Sequence, residues 1–253
     1  MMNISPIIWF HSREAFLPES ADNMIAQAEV WTAKEKISSL REEKDPVQAL
    51  LQIEEKYKGQ KIALKHTSLE GSLAAPLYYR VDKRDPQFIR VVFFLLFPFN
   101  GDLSICGTPS CRWISAGAHQ GDLERFSLLL DPQTMKITKA YFGAHGSKDG
   151  LWKNGEDLEY EDGNPVIYCA YGSHALYPTA GTWYRYFGVA NDVTEKGKKW
   201  QPECIEIEDD YPEWQKFSGA LGWPDHSSFP RSHSAWDEDP VVSSNSWKRW
   251  FGC

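Results

Sequence analysis

The chain has 253 residues, 42 % of them hydrophobic and 25 % charged, with 11 tryptophans. That composition excludes a disordered chain and favours strands over a helical bundle. The net charge of -8, with Lys and Arg scattered, excludes nucleic-acid binding by phosphate neutralisation and suits a neutral or cationic partner, or a metal ion.

No signal-like N-terminus is present, and the longest apolar stretch, Val91 to Phe97, is too short to cross a bilayer. A soluble, acidic, cytoplasmic protein is expected, not transmembrane and at most peripheral to a membrane. Among the five cysteines, Cys106 and Cys111 could pair, but reduced thiols are the default there.

Pro6 to Phe10 reads as a strand. From Ala21 to about Leu40 the spacing of Met24, Ile25, Ala28 and Trp31 predicts a helix. A second helix starts at Asp45-Pro46, where Asp45 caps and Pro46 fits the first helical position, and it stops by Gly59. After Gly71 the pattern becomes β: Pro76 to Val81, then Phe88 to Phe97, which is apolar almost throughout and therefore expected to be covered on both faces. Trp113 to Ser115, Leu123 to Leu130, Met135 to Phe142 and Val166 to Tyr171 follow, with Asp131 to Thr134 as a hairpin loop. Pro212 to Ala220 allows one short helix, and the tail is anchored by Trp236, Trp247 and Trp250. The expected architecture is mainly β with peripheral helices, a single β-sandwich-like domain over 1–253. Residues 21–59 form a helical segment packed outside, 88–178 a β core carrying the site, and 223–253 an irregular wrap.

The segment from Gly117 to Leu128 carries the chemistry. On a strand Asp122 and Glu124 share a face with Phe126, Leu128 and Leu130. Two carboxylates ending a core-facing row are costly unless something positive meets them. His119 lies three residues before Asp122, beyond Gly121, a residue that lets the backbone fold back. Together His119, Asp122 and Glu124 would make half a shell for a divalent cation, Ca or Mg. The plainer alternative pairs Asp122 with Arg112 or Arg125 and leaves His119 as a turn residue. Two further strands end in His-bearing loops, at His145 and at Gly172-Ser173-His174. Each of these histidines is a candidate catalytic group, while His174 reads equally well as structural. Asn191-Asp192 could add oxygens or form an Asx-turn. Phosphate loops, Gly-x-Ser-x-Gly elbows and Cys-x-x-Cys pairs are absent.

Several pieces resemble the family named after vacuolar protein sorting-associated protein 62. They are Trp9-Phe10-His11, Phe16 to Ser20, Phe97 to Gly101, Gly117 to Glu124, Ala144-His145-Gly146, Pro165 to Pro178, and Gly188 with Asn191-Asp192. The chain departs from that pattern at Leu123 and Arg125, where the family usually has Trp and His, and in its helical stretch from Ala21 to Gly59. His119-x-x-Asp122-x-Glu124 followed by His145-Gly146 is also similar, more distantly, to the necrosis- and ethylene-inducing peptide-like proteins. That second similarity implies a β-sandwich in which His119, Asp122 and Glu124 hold a divalent cation used in binding a membrane glycolipid. The leading expectation is cation-assisted binding of a lipid headgroup, a glycan, another small molecule or a protein. The alternative is an enzyme using the same pocket for acid–base or metal-assisted hydrolysis or cyclisation.

Overall fold

The computed structural model describes residues 5–101, 104–105, 118–144, 150–185, 190–207 and 212–223. His145, Arg112, the strand expected at 113–115 and the C-terminal wrap beyond Trp223 lie outside the described residues. Strands dominate, and the two α-helices lie to one side.

Two sheets face each other across a common core. In the first, β1 (Ile7–Phe10) pairs in parallel with β12 (Asn164–Cys169) and antiparallel with β16 (Lys198–Trp200). The short strands β11 (Tyr160–Glu161) and β13 (Leu176–Tyr177) both pair with β12. The second sheet runs β10 (Leu151–Asn154), β9 (Ile137–Phe142), β8 (His119–Leu130), β6 (Ile89–Asn100), β5 (Leu77–Asp82) and β17 (Cys204–Glu206). Two three-stranded sheets complete the described structure. One holds β3 (Lys36–Ser39), β2 (Ala28–Thr32) and β4 (Ile62–His66); the other holds β14 (Gly181–Trp183), β15 (Ala190–Thr194) and β7 (Ser104–Ile105).

The unbroken apolar run of β6 follows from where it lies. Val91, Phe93, Leu95 and Phe97 face the first sheet, meeting Ile8, Phe10, Ile167 and Cys169. Val92, Phe94 and Leu96 face the opposite way, toward helix α1 (Ala21–Ala26), β2, β4 and Trp214. A strand covered on both faces needs apolar residues at every position, not every second one. Phe126, Leu128 and Leu130 of β8 fill the inter-sheet side. Asp131 turns the chain into β9: its carboxylate accepts the Thr134 N–H at 2.7 Å and its N–H donates to the Lys136 carbonyl.

The helix expected from Ala21 to Leu40 is a correction. The α1 helix, capped by Ser20, ends at Ala26, and Ala28 onward is strand. Met24 and Ile25 are buried at helical spacing, but Ala28, Val30 and Thr32 are buried alternately, the period of a strand. β2 takes its hydrogen bonds from both neighbours, pairing from Ala28↔His66 to Thr32↔Ile62 with β4 and also with β3. Tertiary pairing overrides the local spacing there. The second helix, α2 (Pro46–Lys56), forms as expected, with the Asp45 side chain accepting the Gln48 N–H.

Candidate functional site

Parallel pairing builds one wall of the site. Phe10 lies opposite Cys169, so the loops that follow β1 and β12 leave the sheet on the same side. They meet at Glu14, whose Oε2 accepts the Gly172 N–H at 2.7 Å while Oε1 accepts those of Ala15 and Phe16. His174 follows, fully buried, with φ at +57° and its ring stacked on Phe97 at 3.8 Å. Its Nδ1–H donates to Asp122 Oδ2 at 3.0 Å and its Nε2–H to the Phe16 carbonyl at 3.1 Å, with Glu14 Oε1 3.7 Å away.

The Phe16 carbonyl can only accept, so Nε2 carries a proton, and the neighbouring Asp122 and Glu14 favour the charged ring. Burial works against the charge, but the bond to Asp122 and the nearby charge of Glu14 outweigh it and push the pKa up to about 9. Burial likewise opposes the Glu14 charge, and His174 with the backbone N–H donors overcomes it, holding the carboxyl below its ordinary range. His174 thus bridges Asp122 and the Phe16 carbonyl, with Glu14 close by, and its raised pKa favours the charged ring near neutral pH.

Asp122 and Glu124 end the inter-sheet row of β8, opposite Phe97 and Leu95 of β6, and both are nearly buried. Glu124 is 9 % exposed, and no hydrogen bond from a described residue reaches its carboxyl. Burial first, then the charges of Asp122 and Asp192, raise its pKa well above the ordinary carboxylate range, with Arg125 pulling the other way. Asp192, on β15, accepts the Ser173 hydroxyl at 2.5 Å and the Tyr177 hydroxyl at 2.6 Å. The structure thus groups Asp122, bonded to the His174 ring, with a carboxyl that favours its proton, Glu124, and a third carboxylate, Asp192, that hydroxyls hold.

His119 is placed differently. The β6–β8 register runs without offset from Phe97↔Asp122 through Phe99↔Gln120 to Asn100↔His119, so Gly121 does not fold the chain back. It has φ +64° because the backbone of Leu221 and Gly222 crosses there, at 2.4–2.5 Å from where a Cβ would stand. The half-buried His119 ring has Nδ1 3.3 Å from the Gln120 carbonyl. Among the described residues, no group of three or more His, Cys, Asp or Glu is arranged to hold a metal ion.

Glu14, Ser173 and Tyr177 were not singled out by sequence reasoning, and Asp192 was weighed only as a supplementary oxygen. The available signal was the polar run His11 to Glu14 directly after one strand and Gly172 to His174 directly after another. Only a parallel pairing of those strands brings the two runs together.

The family's model, described as vacuolar protein sorting-associated protein 62, matches residues 1–201. The chain belongs to that family. No curated protein matches the chain. Similar solved structures include Necrosis and Ethylene inducing Protein 2 from the causal agent of cocoa's witches' broom disease, 14 % identical, with 84 % of this chain and 74 % of that one covered at a TM-score of 0.45. NLPPya in complex with mannosamine is 11 % identical, covering 84 % and 73 % at 0.45. NLPPya in complex with glucosamine is 12 % identical, covering 84 % and 74 % at 0.45. Among the described residues of this vacuolar protein sorting-associated protein 62 family member, no helix is long and apolar enough to cross a membrane.

Proposed function

We propose that the chain binds a hydroxyl-rich ligand, a glycan or the headgroup of a lipid, through Asp122 and Glu124, with a hard divalent cation, Ca or Mg, between their oxygens and those of the ligand. The observation that carries this reading is Glu124, a carboxyl nine-tenths buried beside two more carboxylates and reached by no hydrogen bond from a described residue. Such a group is costly to bury, and a cation or a set of hydroxyl donors offsets that cost. The donors suit a hard cation in kind, since such ions take carboxylate oxygens and often only one or two from the protein, with water and ligand oxygens completing the shell. Asp122 and Glu124 would be those two. His119 is not needed for this, and His174 serves by keeping Asp122 aimed.

Calcium or magnesium bound only to the folded chain, at a hundred times its dissociation constant, should add about 2.7 kcal/mol of stability. Thermal melts with calcium, with magnesium and with chelator should therefore separate by several degrees. Superimposable melts, with no heat on titrating either ion, would remove the cation from the reading.

Glu124→Gln should separate stability from binding. A carboxyl whose folded pKa lies above its unfolded one weakens the fold as pH rises past the unfolded value, about 4.5. The neutral amide escapes that penalty. At pH 7 the variant should be more stable than wild type, read as a higher Tm, and should show no gain at pH 3.5. The same variant should lose cation and ligand binding. Loss of stability at pH 7 together with intact binding would sink the role given to Glu124.

A second reading, an enzyme, is favoured by one observation: Glu124, a buried carboxyl that favours its proton, lies beside Asp122, which the His174 ring holds in place, so the pair could serve as an acid with a positioned partner. Incubation with candidate glycosides distinguishes the two readings, since binding leaves their masses unchanged and catalysis does not.

A further inference from the structure

The geometry points to a second binding site, for a quaternary ammonium group, on the outer face of the sheet formed by β2, β3 and β4, where Trp31 and Trp223 hold the amine of Lys65. Strand alternation puts the pieces on one face. Ala28, Val30 and Thr32 of β2 point into the core, so Glu29 and Trp31 point outward. Across the ladder Trp31 lies opposite Ala63 of β4, and Glu29 opposite Lys65. Trp223 arrives on the segment that crosses Gly121. Its ring centroid lies 5.7 Å from that of Trp31, with the two planes 57° apart. Lys65 Nζ stands 4.4 Å from the Trp31 centroid and 5.2 Å from that of Trp223.

Both indoles are fixed by their edges, which leaves their faces for a ligand. The Trp31 N–H donates to Glu29 Oε2 at 2.9 Å, and the Trp223 N–H donates to the Thr32 carbonyl at 3.2 Å. Glu29 also receives Lys36 Nζ at 2.5 Å, and these bonds, that of Lys36 first, hold its carboxyl below the ordinary range. A negative charge therefore stays at the rim. Trp31, Trp223, Glu29 and Lys65 are all half-buried, so the group is open to solvent. Lys65 shows which sign of charge the two faces accept, but it suits them poorly in kind. A primary ammonium is strongly hydrated and carries three N–H donors, and ring faces offer no lone pairs to them. An exposed lysine–aromatic contact is weak, a factor of about two to five in occupancy, and the flexible stem lets the amine swing out. A quaternary ammonium has no N–H to satisfy and presents methyl groups to both indoles, so its exchange for Lys65 is favourable. Glu29 then balances the charge. This site is separate from Asp122 and Glu124 and does not depend on the role given to them.

The test titrates the full chain with tetramethylammonium and with choline, read by calorimetry against sodium at matched ionic strength. Lys65→Thr, which empties the cage and keeps a strand-favouring residue, should bind both about ten-fold more tightly than wild type. In that background Trp31→Leu and Trp223→Leu should each lose about ten-fold, and Glu29→Gln should lose less. The uncharged carbon analogue of choline, with a tert-butyl group in place of trimethylammonium, should bind at least about ten-fold more weakly than choline. Glu124→Gln should leave all of these affinities unchanged, which keeps the outcome apart from that of the Asp122–Glu124 reading. Vesicles of phosphatidylcholine, compared with phosphatidylglycerol, separate the two sources. Retention on the first assigns a lipid-borne group, and choline binding without retention assigns a free one. No heat with either ammonium ion, in wild type and Lys65→Thr alike, overturns the inference. So does a carbon analogue that binds as tightly as choline, and so do Trp31→Leu and Trp223→Leu variants that melt as folded proteins and keep the parent affinity.

Discussion

Replacing His174 with alanine should cost about 3–5 kcal/mol, because it leaves Asp122 and Glu14 as buried carboxylates facing each other without their shared cation. Chemical denaturation should show the midpoint falling while the slope stays constant. His174→Asn, which tolerates the +57° backbone and keeps a donor, should recover part of the loss but not the charge. The same contacts make the fold sensitive to alkali. A group whose folded pKa is raised supports the fold fully below its unfolded value of 6.5, and that support is lost as pH rises to about 9. Its size is on the order of 3 kcal/mol. Glu14 acts with the opposite sign: its depressed pKa supports the fold above about 4.5 and ceases to do so as acid protonates it. Together they place the greatest contribution of this cluster between about pH 4.5 and 6.5. Melting temperatures that stay flat from pH 6.5 to 9.5 would contradict an imidazolium at His174.

Gly121→Ala should be as damaging, at about 3 kcal/mol or more. The added methyl would enter a backbone at φ +64° and stand 2.4 Å from the carbonyl carbon and oxygen of Leu221. That carbonyl cannot easily give way. It accepts from His66 Nε2–H at 2.6 Å, while the preceding residue, Ala220, exchanges hydrogen bonds with Ile62 and Leu64 of β4. Gly163→Ala is the control. Its φ of +78° imposes the same backbone penalty, about 1 kcal/mol, but nothing lies within 4 Å of the new methyl. Equal losses in the two variants would show that crowding at Leu221 contributes nothing. Because Asp122 is the next residue, Gly121→Ala should also weaken ligand binding more than its stability loss alone accounts for.

What the sequence determined by itself was a set of features with a short period. The doubly covered β6, the shared face of Asp122 and Glu124 with Phe126 and Leu128, the Asp131 turn and the Asp45-Pro46 helix start all follow from alternation and capping within a few residues. The tertiary structure decided what depends on distant partners. Residues 28–32 are strand because β3 and β4 accept their hydrogen bonds, although Met24 to Trp31 has helical spacing. His119 lies in line with Gln120 opposite Asn100, not folded back, because the β6 register continues past Gly121. The partners of the site, Glu14, His174 and Asp192, sit more than a hundred residues apart at their extremes, and no local pattern links them. They meet because β1 and β12 run parallel and send their following loops out on the same side, and pairing direction is set by the whole sheet and not by the residues of either strand.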